Sequence, residues 1–151
     1  MSELNPFEDR LAALIAALSP AGRRNLNAEI AKTLRQQQQQ RIKAQRAPDG
    51  SPYAPRQPQT IRGKKGRVKR EMFAKLRTSR YMKAVADESA AAVAFTGKVQ
   101  RIARVHQYGL KDRPAPNRDA VDYPARPLLG FSHVDKSLVE TVIMKILISY
   151  H

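Results

Sequence analysis

Tyr123-Pro124-Ala125-Arg126-Pro127-Leu128-Leu129-Gly130-Phe131 runs directly into Ser132-His133-Val134-Asp135-Lys136-Ser137-Leu138-Val139-Glu140-Thr141-Val142-Ile143-Met144-Lys145-Ile146-Leu147, and the two halves obey different rules. Pro124 and Pro127 forbid helix and push the residues before them to extended backbone, so the first half reads as an extended, edge-type strand. In the second half Ser132, with Asp135 three residues on, opens a helix. Leu138, Val139, Val142, Ile143, Ile146 and Leu147 then recur at helical spacing. This helix is the most apolar element of the chain and the predicted centre of its core.

Upstream, Asn5-Pro6-Phe7-Glu8 combines a cap, a first-turn proline and an acid three residues after the cap. It predicts a helix to about Leu18 with Phe7, Leu11, Leu14, Ile15 and Leu18 on one stripe. Ser19-Pro20 repeats the signal and opens a longer helix, with Leu26, Ile30, Leu34 and Ile42 on one face, ending near Pro48. Its run Gln36 to Gln40 has no apolar content and is expected to face solvent or a neighbour. Residues 48 to 60 carry four prolines around Asp49-Gly50, which is turn chemistry followed by extended chain.

From Arg62 to Arg70 the chain is Gly-punctuated and almost wholly basic, a composition unable to bury itself. Met72, Phe73 and Leu76 predict a short helix near 70–79. Tyr81–Ala86 and Ala91–Thr96 flank Asp87-Glu88-Ser89 as a β-hairpin, with Val85, Val93 and Phe95 on the packed face. Lys98–Tyr108 reads as a helix that turns Val99, Ile102 and Val105 or His106 inward and ends at Gly109 as a C-cap. A charged loop over 110–122 completes the pass.

A chain of 151 residues fits one domain, 1–151, read as a helical part (1–47), an extended basic loop or arm (48–70) and a core (71–151). With 28 Lys and Arg against 13 Asp and Glu, the net charge is +15. Such a surface attracts nucleic acid, acidic protein or anionic lipid. Cysteine is absent, which removes disulfides and thiolate metal sites and suits a reducing cytoplasm. No basic leader precedes the first apolar stripe, so no signal peptide is expected. The C-terminal apolar run is broken by Glu140 and Lys145, and a soluble protein with no membrane contact is expected.

Catalytic chemistry finds no footing. His106, His133 and His151 show no metal-ligand spacing, no serine has a nucleophile-elbow context, and Arg62-Gly63-Lys64-Lys65-Gly66 lacks the spacing of a phosphate-binding loop. No enzyme, cofactor or metal is therefore expected. The strongest local signal is the basic run, with Arg62, Lys64, Lys65, Arg67, Lys69 and Arg70 at its centre. It fits a DNA contact and an acidic-partner contact equally, because no helix-turn-helix, zinc finger or base-stacking sheet accompanies it. Arg126, between two prolines that pre-set its backbone, is expected to present its guanidinium to a carboxylate or backbone carbonyl.

Asp49–Arg56 (DGSPYAPR), Arg104–Gly109 (RVHQYG) and Tyr123–Phe131 (YPARPLLGF), in that order and spacing, resemble the phage virion morphogenesis, or tail completion, family of contractile-tailed phages and prophages. The last two stretches also resemble phage neck and head-tail joining proteins. The resemblance implies an α+β domain, with long N-terminal helices and a C-terminal helix packed on a small antiparallel sheet, forming a ring of the neck or tail-terminator kind. Six subunits would match a tail's symmetry. The implied function is a structural one, completing the tail and mediating head-tail joining. The implied partners are other copies of the chain, tail tube or terminator proteins and the head connector, with non-specific contact to phage DNA. The implied place is the virion tail or neck, assembled in the host cytoplasm. Tyr53, Arg56, His106, Tyr108, Gly109, Pro124, Arg126 and Pro127 are the expected subunit or partner interface. The rival reading is a basic nucleic-acid-binding protein that is no part of the virion.

Overall fold

In a computed structural model that describes residues 6–56 and 71–149, the elements follow in the order α1 (Pro6–Ala16), α2 (Pro20–Lys43), β1 (Met82–Ala86), β2 (Ala91–Phe95), α3 (Gln100–Tyr108), β3 (Lys111–Asp112), β4 (Val121–Asp122) and α4 (His133–Ser149). The described chain is thus α+β, with four helices and two two-stranded sheets, β1-β2 and β3-β4. The central basic stretch, Arg62 to Arg70, lies outside the described residues. Two compact units are formed. One comprises residues 1–36, 84–94 and 133–151, the other residues 37–83 and 95–132.

The first unit is built on helices. Ser19 caps α2 as its sequence predicts, its hydroxyl accepting from the Gly22 amide at 3.1 Å, and Pro20 follows where an amide would be orphaned anyway. Leu11 of α1, Leu26 of α2 and Ile143 and Leu147 of α4 are buried together, with Leu14, Ile15, Leu18, Ile30, Val139 and Ile146 packed around them. The predicted stripe of α1 and the role of α4 as core helix are thus both present. Phe7 is the exception, exposed at the end of its stripe. The hairpin tip turns on Asp87, whose carboxylate accepts from the Ser89 and Ala90 amides at 2.7 and 2.8 Å. Asn27 holds this tip to α2 by donating to the Asp87 carbonyl at 2.8 Å. Val85 points away from the packed face expected of it and is 52% exposed.

The second unit takes in the last turns of α2, which ends at Lys43, short of the expected stop near Pro48. Gln45 takes a left-handed φ of 59°, and the Gln45 and Arg46 amides fold back to the carbonyls of Ile42 and Arg41. That is a helix stop of the kind glycine usually makes, which a glutamine adopts only with compensation. Here the Gln45 side chain supplies it, donating to the Met72 carbonyl at 3.0 Å and accepting from the Met72 amide at 3.2 Å. The helix expected near 70–79 is absent. Phe73 sits at φ 66°, outside helical space, and residues 72–80 form successive turns instead.

Helix α3 ends as predicted. Gly109, at φ 65°, donates its amide to the Val105 carbonyl. Ile102 is turned outward, not inward, while Val99 and Val105 are buried. The loop expected over 110–122 closes on a short antiparallel pair, Lys111 opposite Asp122 and Asp112 opposite Val121. Residues 123–128, expected to form an edge-type strand, join no strand, because their prolines leave gaps in any ladder.

The glutamine run is the largest departure from expectation. Gln38 is only 3% exposed, donating to the Gly130 carbonyl at 3.0 Å and accepting from the Gly130 amide at 3.2 Å. Arg41 donates to the same carbonyl at 2.9 Å and to the Gln38 side-chain oxygen. Gln38→Ala is expected to lower stability by about 1–3 kcal/mol, because it leaves the Gly130 amide without its partner and its carbonyl with Arg41 alone, whereas exposed Gln40→Ala stays within about 0.5 kcal/mol. Urea unfolding of the two variants side by side measures the difference.

Candidate functional site

The three stretches singled out in the sequence lie far apart along the chain, and the second unit brings them together. Arg126 is the tie. Its Nε donates to the Ala54 carbonyl at 2.8 Å and its Nη2 to the Pro55 carbonyl at 3.0 Å, while its own amide donates to the His106 carbonyl at 2.7 Å. Tyr53 answers from the first stretch, its hydroxyl donating to the Pro127 carbonyl at 2.9 Å. Burial pushes the Tyr53 phenol up to about 12, against a smaller opposing pull from Arg41, so it remains a donor across the physiological range.

Gln107 of the second stretch clamps the third. Its side-chain oxygen accepts from the Leu128 and Leu129 amides at 2.8 and 2.9 Å, and its amide nitrogen donates to the Leu129 carbonyl at 2.8 Å. Two glycines allow this close approach. A Cβ on Gly109 would lie 2.7 Å from the Ala125 amide nitrogen, and one on Gly130 would lie 2.3 Å from Pro48 Cγ. Each position is barred to any larger residue unless the chain shifts.

A row of rings runs through the same place. Tyr53 meets Phe73 edge-on at 5.7 Å between centroids, Phe73 meets His106 at 4.8 Å, and His106 meets Tyr123 at 5.0 Å. This row accounts for the left-handed turn at Phe73, which aims its ring between Tyr53 and His106. His106 is half-buried, and its Nδ1 has no hydrogen-bond partner. Burial lowers its pKa, the neighbouring Arg126 guanidinium lowers it further, and Asp112 opposes the shift.

The expected interface residues therefore divide. Tyr53, His106, Gly109, Arg126 and Pro127 form the interior of one knot. Tyr108, Pro124 and Arg56 lie on its exposed outside, Tyr108 most openly at 67%. Arg126 is corrected from an outward-facing residue to an inward one, because at 6% exposure its guanidinium is turned onto the carbonyls of Ala54 and Pro55. Burial lowers its pKa, as does the Arg56 charge. The backbone-carbonyl contact was foreseen in kind, but within the chain. Gln38 and Gln107 were missed as functional supports, since an uncharged side chain carries no signal until its backbone partner is known. The six basic residues from Arg62 to Arg70 lie outside the described residues. Among the described residues no three His, Asp or Glu side chains assemble as metal ligands, and no helix is long and apolar enough to cross a membrane.

The phage virion morphogenesis family matches this chain over residues 2–148, a span that contains all three stretches and the knot they form. The chain belongs to that family. It is also 54% identical over 145 residues to tail completion protein S of Escherichia phage P2, an alignment covering 95% of this chain and 97% of that one. No solved structure matches it. In this member of the virion morphogenesis family the three stretches are one physical object, two loops cross-braced to the end of α3, whose outer surface carries Tyr108, Pro124 and Arg56.

Arg126→Ala is expected to destabilise the fold by about 2–4 kcal/mol, since two carbonyls lose a charged donor, and Arg126→Lys recovers only part of this because an ammonium does not reproduce the planar fork. Thermal melting of both variants measures it. His106 has a folded pKa below its unfolded value of about 6.5, so its contribution is fully present above that pH and is lost as pH falls below it. The unfolding midpoint in urea is therefore expected to drop between about pH 7 and pH 5, and less steeply in His106→Gln. An NMR titration placing the folded His106 pKa above 6.5 would contradict this sign.

Proposed function

We propose that this protein is a structural component of a phage virion that completes the tail and makes it competent to join the head. The observation that carries the reading is the near full-length match to tail completion protein S of Escherichia phage P2, within a family defined by virion morphogenesis. The whole chain acts as one tail-completion domain. Its work is association, with no covalent step. Its partners are further copies of itself in a ring, six in number where the tail is six-fold, together with the tail tube or terminator on one side and the head connector on the other. Its place in the virion is the tail end or neck.

The knot supports this reading physically. A docking surface must hold its shape when free, or the cost of ordering it is charged against binding. Partly buried hydrogen bonds from Arg126, Gln107, Tyr53 and Gln38 lock together the loops that carry Arg56 and Pro124 and the end of α3 that carries Tyr108. An exposed tyrosine held on a rigid element is a favoured anchor in protein interfaces. We assign Tyr108, Arg56 and Pro124 to the partner-facing surface and the buried members of the knot to its support.

Deleting the gene is expected to leave DNA-filled heads and contractile tails side by side and unjoined in the lysate, and adding purified protein restores plaques. Tyr108→Ser is expected to keep stability within about 0.5 kcal/mol while lowering restored plaques by about tenfold or more, the loss of an interface anchor. Electron microscopy with a plaque count decides both. Infectious particles formed without the protein would overturn the assignment and favour a nucleic-acid-binding protein outside the virion.

A further inference from the structure

The charge of this chain is divided unevenly between its two compact units. Among the described residues the first unit holds 7 Lys and Arg against 7 Asp and Glu, and the second holds 15 against 5. Within the second unit the imbalance is steepest between residues 37 and 83, where the described acids are Asp49 and Glu71 alone. The C-terminal part of α2 and the turns that lead into β1 are laced together there, Gln45 to the Met72 backbone and Gln39 to the Ser79 hydroxyl at 3.4 Å. Their exposed cations include Lys43, Lys75, Arg80 and Lys83, none of which has an ion pair to a described carboxylate, while Arg77 lies 3.8 Å from Glu71. Arg80 lies over the Tyr81 ring at 5.4 Å, leaving its guanidinium on the surface.

A second observation separates the possible partners. The large apolar side chains that the described residues expose are Phe7, Val85, Ile102, Tyr108, Leu110, Val121, Phe131, Val134, Met144 and Ile148, and none lies between residues 37 and 83. A protein interface is built around a desolvated apolar centre, which this basic surface lacks. Phosphate neutralisation needs no such centre. It needs several mobile cations with few carboxylates among them. The apolar side chains are left to the neutral helices and to the region of α3, where protein contacts belong.

We propose that the surface formed by residues 37–46 and 71–83 binds the sugar-phosphate backbone of duplex DNA without regard to sequence, through Lys43, Lys75, Arg80 and Lys83. The binding is electrostatic, with no base-reading element. It does not depend on the tail-completion reading and is measured on the purified protein alone.

Fluorescence anisotropy of a labelled mixed-sequence duplex of about 30 base pairs, titrated with the full chain across about 50–200 mM salt, measures affinity and its salt slope. A variant carrying Lys43→Gln, Lys75→Gln, Arg80→Gln and Lys83→Gln is compared with one carrying Lys98→Gln, Arg104→Gln, Arg113→Gln and Arg118→Gln, which loses the same charge from the same unit. The first is expected to flatten the log-log slope by about 3 and to weaken low-salt binding by about a hundredfold or more, and the second to change the slope by less than about 1. Melting curves check folding. If the fourfold variant does not fold, each of its single substitutions is expected to flatten the slope by nearly one. Equal losses in the two variants would reduce the effect to net charge and overturn the site. So would wild-type protein that fails to bind, or polyglutamate displacing the label as well as unlabelled duplex of equal charge, which would assign the surface to an acidic protein.

Discussion

A proline-locked segment cannot join a sheet on equal terms, and the second unit is organised around that constraint. Pro124 and Pro127 contribute carbonyls but no amides to residues 123–131, so no regular ladder can satisfy this stretch. Side chains take the place of a partner strand. Gln107 serves Leu128 and Leu129, Gln38 and Arg41 serve Gly130, and the Tyr53 hydroxyl serves Pro127. Arg126 then reaches back to do the same for Ala54 and Pro55, which lie in a second proline-rich stretch with the same deficit. Two segments that could not be satisfied by backbone pairing are satisfied by one another and by α2 and α3.

The consequence for function is rigidity without a large sheet. Two loops braced against the end of α3 at many points by partly buried hydrogen bonds can hold an exposed tyrosine, arginine and proline in place on their surface. Long loops usually trade precision for adaptability. Here the close approaches at Gly109 and Gly130 and the ring row from Tyr53 to Tyr123 remove much of that freedom. For a tail-completing subunit, a pre-ordered surface lowers the entropic cost of each docking event.

The division of charge gives the two units different chemistries. The helical unit is close to neutral and presents apolar side chains such as Val134 and Ile148 on the outside of α4. The other unit carries essentially all of the chain's excess positive charge. A +15 chain with that charge spread evenly would meet protein and nucleic acid alike with every face. Concentrating it on one unit leaves the other free to make contacts that a uniform field would oppose.

Local rules were enough for the helices of the first unit, the α2 cap at Ser19, the hairpin and the C-cap at Gly109, because each depends on residues within a turn or two of one another. The lack of helix over 123–131 was likewise dictated by its own prolines, and the succession of the three stretches was enough to place the chain in its family. What local rules could not reach was where side-chain amides and guanidinium groups would go. Gln38 reads as a solvated member of a polar run, and Arg126 as an outward arginine, until the orphaned carbonyls that claim them are brought near by the fold. Phe73 follows a helical spacing in sequence but is pulled into left-handed backbone by rings contributed from residues 53 and 106. By itself the sequence determined the four helices that form, though not the failure of helical spacing near residue 73, since those four rest on short-range sterics and periodicity. Only the tertiary structure decided which polar side chains are buried, because a buried hydrogen bond needs a partner whose position is set by distant parts of the chain.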